Sequence, residues 1–270
     1  MRVLFIGDIV AKPGREILKK HLAVLKKEMN IDIVIANCEN LAHGFGMTAK
    51  TIDEVILYGV DIITGGNHSW DKKEINPFYD SYNMLRPINF PDGVCGRGSL
   101  VFEKNLQKLA VVNLLGHYGM GMVENPFNMI EKEVQRLQNE GIKNIIIDFH
   151  AEATSEKNAL LFMLKSKVSF IAGTHTHIGT DDLLIKDGTG YVSDVGLTGC
   201  MDGIIGMDID APIYRFKTGI KKNYDIPKKC KKIFQAIIID IDGNGRCIDA
   251  KKIKAYDDQA PVITMESVRI

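Results

Sequence analysis

The first 70 residues alternate between short apolar runs and amphipathic stretches, and this alternation constrains the fold more than any other feature. Apolar runs stand at RVLFIGD (2–8), IDIVIANCEN (31–40) and DIITGGN (61–67). Between them, residues 14–29 and 48–59 carry apolar side chains at helical spacing. Apolar runs separated by amphipathic helices are typical of parallel strands covered on both faces. We therefore expect strand–helix–strand units around a parallel sheet.

The rest of the chain mixes this pattern with hairpins. Residues 87–115 are rich in turn residues and predict an antiparallel hairpin, and Asp242-Gly243-Asn244-Gly245 marks a tight turn within another. In the intervening part we predict a helix, a strand, a helix, a strand and a further hairpin, over residues 127–141, 144–152, 155–167, 168–174 and 182–196. No repeat or linker interrupts the pattern. The prediction is a layered α/β/α fold with mixed β-sheets flanked by helices, formed by residues 1–270 as a single domain.

Composition narrows the functional classes. The 270 residues carry 34 basic and 34 acidic side chains, so net charge gives no reason to expect a polymeric nucleic acid or a membrane as partner. Five cysteines without a CxxC pair favour reduced thiols and a cytoplasmic protein. The N-terminal MRVLFIGD does not have the pattern of a signal peptide, and no apolar run reaches the roughly 18–20 residues that span a bilayer.

Polar side chains follow five of the predicted strands. In open α/β sheets, ligands bind beyond the carboxyl ends of the strands. The side chains at those ends are two carboxylates, two amides and four of the chain's seven histidines: Asp8, Glu39, Asn40, Asn67, His68, His150, His175 and His177. Asn37 and Asp148 are interpreted as strand residues. We expect the eight side chains to meet at one edge of the sheet.

Each of these residues also has a structural interpretation. Asp8 could cap a helix, Asn67 could be a turn residue, and His150 could be a hydrogen-bonded core histidine. His175 and His177 are two residues apart, so on a strand they would face the same side. Each structural interpretation is plausible for a single residue. If all of them held, however, chance alone would have placed a side chain able to bind a metal at every predicted strand end. Imidazole, carboxylate and amide donors suit first-row metals, and a carboxylate can bridge two ions about 3.5–4 Å apart.

The blocks GD, GGNH, an isolated H and GTHTH resemble the GD, GNH and GHxH motifs of calcineurin-like metallophosphoesterases. The chain is most similar to the YmdB-like subgroup, related to 2′,3′-cyclic-nucleotide 2′-phosphodiesterases. That similarity rests on five ordered blocks: GDIVAKPGR, ANCENLAHGFGMT, TGGNHSWD, DFHAEATSEK and AGTHTHIGTDD. It covers essentially the whole chain. Two positions depart from the pattern of the wider superfamily: Val10 stands where a histidine is frequent, and Glu39 stands where the bridging residue is usually Asp. The resemblance to the YmdB-like subgroup accounts for both differences.

The resemblance implies a dinuclear metal site with Glu39 as the bridging ligand. The first ion would be bound by Asp8, Glu39, Asn40 and His177. The second would be bound by Glu39, Asn67, His150 and His175. The subgroup is associated with iron, and manganese or magnesium are alternatives for the two divalent or trivalent ions.

The resemblance also implies a reaction. A metal-bound hydroxide would attack the phosphorus of a small cyclic nucleotide, and His68 would be the general acid that protonates the leaving oxygen. We expect a 2′,3′-cyclic substrate, with 3′,5′-cyclic nucleotides as a further class. Two alternatives stay open: a phosphomonoesterase or nucleotidase of the same fold, and a regulatory protein that senses metal or nucleotide. The sequence leaves homo-oligomerisation open.

Three further residues are candidate substrate contacts. The stretch AHGFGMT (42–48) could be a loop in which Phe45 stacks on a base, or the approach to a helix with Thr48 as its N-cap. His43 in the same stretch could reach a phosphate. The glycine-rich GHYGMGM around His117 could also line the pocket. Residues 193–206, again rich in glycine, could form another wall.

Overall fold

The computed structural model describes residues 1–270, and its strands form two mixed sheets. The first seven strands are β1 (Arg2–Ile6), β2 (Ile33–Asn37), β3 (Ile62–Thr64), β4 (Ser99–Lys104), β5 (Gln107–Leu115), β6 (Asn144–His150) and β7 (Phe170–Thr174). The others are β8 (Leu184–Lys186), β9 (Thr189–Val192), β10 (Gly199–Cys200), β11 (Lys232–Ile241), β12 (Cys247–Tyr256), β13 (Gln259–Glu266) and β14 (Val268–Arg269).

Five α-helices and one 3-10 helix connect the strands. The α-helices are α1 (Ala11–Glu28), α2 (Ala49–Tyr58), α3 (Pro126–Asn139), α4 (Thr154–Leu164) and α5 (Asp210–Thr218), and the 3-10 helix is Lys73–Ser81. Neither α5 nor the 3-10 helix was predicted from the sequence. No helix is both apolar enough and long enough to cross a membrane.

The strand order confirms the mixed sheets predicted from the sequence. The first sheet runs β13-β12-β11-β1-β2-β3, with β10 beside β11, and the second runs β14-β8-β9-β7-β6-β5-β4. Strands β1, β2 and β3 are parallel to one another, and so are β5, β6 and β7. The predicted hairpins β4–β5, β8–β9 and β11–β12 are antiparallel.

The two sheets pack face to face, with helices on both outer faces. Alternate residues of β1 show the arrangement: Val3 and Phe5 join a core cluster with strands of the second sheet, whereas Leu4 and Ile6 pack with α1 and α2. A third cluster packs α3 and α4 on the outer face of the second sheet. Both faces of the parallel strands are thus buried, which explains their continuous apolar sequences. The carboxyl ends of β1–β3 and β6–β7 meet beside the seam between the sheets.

Candidate metal centre

The predicted donors from both sheets converge beyond the strand ends. Glu39 and Asn67 follow strands of the first sheet, and His150 and His175 come from the second. His150 Nε2 lies 3.2 Å from Glu39 Oε1, 3.0 Å from Asn67 Oδ1 and 3.1 Å from His175 Nδ1. Potential ligand atoms of Glu39, His150 and His175 all lie within 4.8 Å of one another. This geometry is compact enough to coordinate one ion.

A second group of donors adjoins the first and shares Glu39 with it. Asn40 Nδ2 lies 3.2 Å from Glu39 Oε1 and 3.4 Å from His177 Nε2. His177 Nε2 lies 3.8 Å from Asp8 Oδ1. All four of these side chains are buried: Asp8, Glu39, Asn40 and His177. Because Glu39 contacts both groups, its carboxylate occupies the place that a bridging ligand needs.

The electrostatics of the cluster favour a cation. Asp8 Oδ1 is buried without a hydrogen-bond partner, and a buried carboxylate oxygen without a partner is costly unless a cation satisfies it. Burial raises the pKa of Asp8. Burial would lower the pKa of His150, but the surrounding carboxylates Glu39, Asp8 and Asp148 raise it to about 9. The residues present therefore fit a centre that holds positive charge.

The pKa values of Glu39 and His175 keep both side chains available as ligands. Burial alone would raise the pKa of Glu39, but His150 and the His68 backbone N–H hold it well below its usual range. Burial and the neighbouring charge of His150 lower the pKa of His175 to about 3. Glu39 is therefore a carboxylate and His175 a neutral imidazole, which are the forms that bind metals.

Two strand residues that the sequence analysis set aside hold His150 in place. His150 Nδ1 lies 2.9 Å from Thr174 Oγ1, which donates to Asp148 Oδ1 at 2.6 Å. The other oxygen of Asp148 accepts from Asn37 Nδ2 at 3.0 Å and from Thr64 Oγ1. Such outer hydrogen bonds orient a ligand histidine and fix its tautomer. The signal in the sequence is the spacing of Asp148 and His150, which places both on one face of β6.

The two histidines of GTHTH lie beyond the strand rather than on it. Strand β7 ends at Thr174, and the backbone is left-handed at His175 (φ 98°) and His177 (φ 63°). This conformation is uncommon for residues other than glycine. The tight turn, not strand alternation, therefore directs His175 toward His150 and His177 toward Asn40. The expectation that both rings project from one face of a strand was therefore wrong, because neither histidine lies on the strand. Both rings nevertheless reach the cluster.

A buried ion pair supports this turn. The carboxylate of Asp194 accepts from Thr176 N at 3.0 Å, from Thr176 Oγ1 at 2.8 Å and from Lys157 Nζ at 3.2 Å. Lys157 Nζ also donates to Thr174 O at 2.8 Å. Both charged side chains are 1% exposed. Nothing in the sequence pattern identified this pair, because its members lie on α4 and in the loop after β9.

His68 lies at the edge of the cluster and is oriented from both sides. Its backbone N–H donates to Glu39 Oε2 at 2.8 Å, and its Nδ1 lies 2.7 Å from Asp71 Oδ2. The opposite ring nitrogen, Nε2, is thus left for a substrate. His68 lines a cavity of about 290 Å³ together with Glu39, Asn40, His175 and His177. It does not cap the following 3-10 helix, whose N-cap is Lys72.

The other structural interpretations have mixed outcomes. Asn67 does lie in a turn, and His150 is a buried, hydrogen-bonded histidine as well as a member of the cluster. Asp8 is not a helix cap, because α1 is preceded by Val10 and has no side-chain cap. Thr48 does cap α2, in a capping box with Thr51. Phe45, three residues earlier, lines the cavity beside His68. The 42–48 stretch is therefore both a helix approach and a cavity wall.

The remaining two candidate contacts lie away from this cavity. His43 is exposed and lines separate cavities with Lys228 and Lys229. His117 is exposed, and its backbone N–H donates to Glu156 Oε1 at 2.9 Å. Neither side chain lines the cavity of the candidate centre. Ile204 and Ile205, from the glycine-rich stretch 193–206, do form part of its wall.

Gly66 leaves no room for a side chain beside the cluster. A methyl group there would overlap the Glu39 carboxylate and the His150 ring. We expect Gly66→Ala to lower stability by about 1–3 kcal/mol through overpacking and to reduce the bound metal, measured by thermal unfolding and elemental analysis. Gly243→Ala is the matched control, because no atom lies within 4 Å of its added methyl group. Full metal content in Gly66→Ala would show that these side chains are not the ligands.

Comparisons with known proteins agree with the strand-end blocks. Residues 4–253 match the family described as YmdB-like protein. The 2′,3′-cyclic-nucleotide 2′-phosphodiesterase of Bacillus subtilis is 41% identical over 261 residues, which cover 96% of this chain and 98% of that protein. The match thus extends over nearly the full length of both proteins.

Solved structures extend the similarity to the fold. The crystal structure of a novel phosphatase from Mycoplasma pneumoniae superposes with a TM-score of 0.89 at 33% identity, covering 96% of this chain and 94% of that one. A putative 5′-nucleotidase from Staphylococcus aureus superposes with a TM-score of 0.58 at 10% identity, covering 98% of this chain and 55% of that one. The latter shares the fold alone, and the two superpositions together agree with the layered α/β fold with mixed sheets predicted from the sequence.

Proposed function

Because this chain belongs to the YmdB-like family, we propose that it is a metal-dependent phosphodiesterase. Its proposed substrates are small cyclic nucleotides, above all 2′,3′-cyclic nucleotides. The observation that carries the proposal is the pair of donor groups that share the Glu39 carboxylate, with His68 beside them. Support from outside the structure comes from the Bacillus subtilis relative, which is a 2′,3′-cyclic-nucleotide 2′-phosphodiesterase. The distances within the donor cluster support a proposed role for each side chain.

The ligand sets proposed for the two ions follow the contacts of the cluster. Asp8, Glu39, Asn40 and His177 would hold one, and Glu39, Asn67, His150 and His175 the other. Iron is the expected metal, with manganese or magnesium as alternatives, since imidazole and oxygen donors suit such ions. Two bound ions would neutralise the phosphate charge and supply an activated water.

The protein's own groups then complete the hydrolysis. Water adds to phosphorus, the bond from phosphorus to the 2′ oxygen breaks, and His68 transfers a proton from Nε2 to that oxygen. The product is a nucleoside 3′-phosphate. Asp71, at 2.7 Å from Nδ1, orients the ring. General acid catalysis of this kind contributes roughly 10²–10⁴-fold to the rate.

A substrate panel tests the proposal. The purified protein, supplied with iron or manganese, is assayed on 2′,3′-cyclic nucleotides, 3′,5′-cyclic nucleotides and nucleoside monophosphates. We expect hydrolysis of the 2′,3′-cyclic compounds, with 3′-phosphates as the products. Cleavage of monoesters with the cyclic diesters untouched would instead establish a phosphomonoesterase or nucleotidase.

A further inference from the structure

The position of His68 defines where the nucleoside part of a substrate lies. A general acid stands beside the leaving oxygen, which in the proposed reaction is the ribose 2′ oxygen. The ribose and its base therefore extend from the His68 side of the centre. On that side the Phe45 ring meets the His68 ring edge-on, with centroids 4.8 Å apart and planes at 71°. This step rests on the proposed function.

An aromatic surface continues from Phe45 away from the donor cluster. The Tyr224 ring stacks with Phe45 at a centroid distance of 6.0 Å and an interplanar angle of 28°. Both rings are half-buried and line the cavity. Phe216 and Ile205 line the same cavity and are 81% and 48% exposed. This part of the cavity lining is thus apolar and partly exposed, as a stacking platform for a base would be.

Arg215 is the one basic side chain of the cavity lining other than the histidines. Its Nη1 donates to the Tyr224 hydroxyl at 2.9 Å, and it forms no ion pair with a carboxylate. Nε and Nη2 are thus left as donors. A guanidinium donates only, and its fork matches the O6 and N7 acceptors of guanine. Adenine presents an amino group in place of O6 and would lose one of the two hydrogen bonds.

We propose that Phe45, Tyr224 and Arg215 form a nucleobase-binding site that stacks the base of the substrate and selects guanine through the Arg215 guanidinium. The site adds base selectivity to the proposed hydrolysis. It is built from three separate segments: the loop before α2, helix α5 and the chain after α5. Their meeting point is recognisable only in the folded protein.

The test compares cyclic phosphates with and without a base. The substrates are guanosine, adenosine and cytidine 2′,3′-cyclic phosphates, and glycerol 1,2-cyclic phosphate, which has the reacting ring but no base. We expect the wild type to have its highest kcat/KM on the guanosine compound. Tyr224→Leu should lower the ratio of kcat/KM for nucleotides to that for glycerol cyclic phosphate by roughly ten- to hundredfold. Arg215→Met should remove the preference for guanosine.

Tyr214→Leu is the matched control, since Tyr214 lies on α5, is exposed and does not line the cavity. Its substrate ratios should equal those of the wild type. A Tyr224→Leu variant that loses activity equally on all four substrates would overturn the stacking site. An Arg215→Met variant that does the same would identify Arg215 as a phosphate contact and overturn its role in base selection.

A binding measurement separates this site from the proposed reaction. Calorimetry of the metal-loaded protein should show guanosine 3′-phosphate binding more tightly than glycerol phosphate, with roughly a tenfold or larger loss of that difference in Tyr224→Leu. If no cyclic phosphate is hydrolysed but this binding holds, the proposed function fails and the base site stands. Equal affinities of wild type and Tyr224→Leu for guanosine 3′-phosphate would overturn the base site.

Discussion

We expect the replacement of Glu39 with glutamine to remove both proposed metal ions and nearly all of the proposed phosphodiesterase activity. Oε1 of Glu39 lies 3.2 Å from His150 Nε2 and 3.2 Å from Asn40 Nδ2, so one carboxylate serves both donor groups. Glutamine keeps the shape of the side chain but removes the negative charge that the two proposed cations would share. We expect kcat/KM to fall by more than the roughly 10–100-fold typical of losing an outer partner of a ligand.

Elemental analysis and kinetics on the same preparation measure this effect. Glu266→Gln is a suitable control, because Glu266 is an exposed carboxylate that pairs with Lys251 on the sheet edge. It should retain the metal content and activity of the wild type. A Glu39→Gln variant that loses only one ion, or none, would contradict the bridging role.

The second large effect is expected from His68→Gln, which should lower kcat by roughly 10²–10⁴-fold while both metals stay bound. The reason is that His68 touches the donor cluster through its backbone N–H rather than through its ring. A ribose alkoxide needs the proton that the imidazole supplies, whereas p-nitrophenolate departs without one. The loss should therefore be large for a 2′,3′-cyclic nucleotide and small for methyl p-nitrophenyl phosphate.

Two outcomes would contradict this role of His68. Equal losses on both substrates would mean that the ring does not protonate the leaving group, and loss of metal would make it a ligand. The same variant also addresses the regulatory alternative. If a metal-bound but inactive His68→Gln protein restored every cellular phenotype, metal or nucleotide sensing rather than catalysis would be the function.

The sequence predicted most of the fold because the relevant signals are local. Each apolar run of β1, β2 and β3 is followed by an amphipathic helix or a turn, so burial of the strands on both faces could be inferred from this alternation. Parallel strands deliver their carboxyl ends to one edge of a sheet, so the donors that follow β1–β3 could be grouped together, and so could those that follow β6 and β7. The expectation of a single sheet edge was wrong, because Asp8 and His177 follow strands of two different sheets, whose edges meet where the sheets pack face to face.

The supporting parts of the site could not be inferred in the same way. Asp148 reaches His150 through Thr174, a residue of the neighbouring strand, and such a bridge depends on strand register. The left-handed backbone at His175 follows from tertiary contacts, which have no local pattern. Arg215 and Tyr224 lie in a segment with weak periodicity, where α5 was not predicted. Their approach to Phe45 is a consequence of packing between distant segments.

Metal stoichiometry is the most direct test of whether two ions share the site around Glu39. Protein purified under anaerobic conditions is analysed for iron, manganese and magnesium, then stripped of metal and titrated while hydrolysis of a 2′,3′-cyclic nucleotide is followed. The two donor groups around Glu39 predict two equivalents per chain, with full activity only after the second is bound. Full activity with one equivalent or fewer would contradict the account.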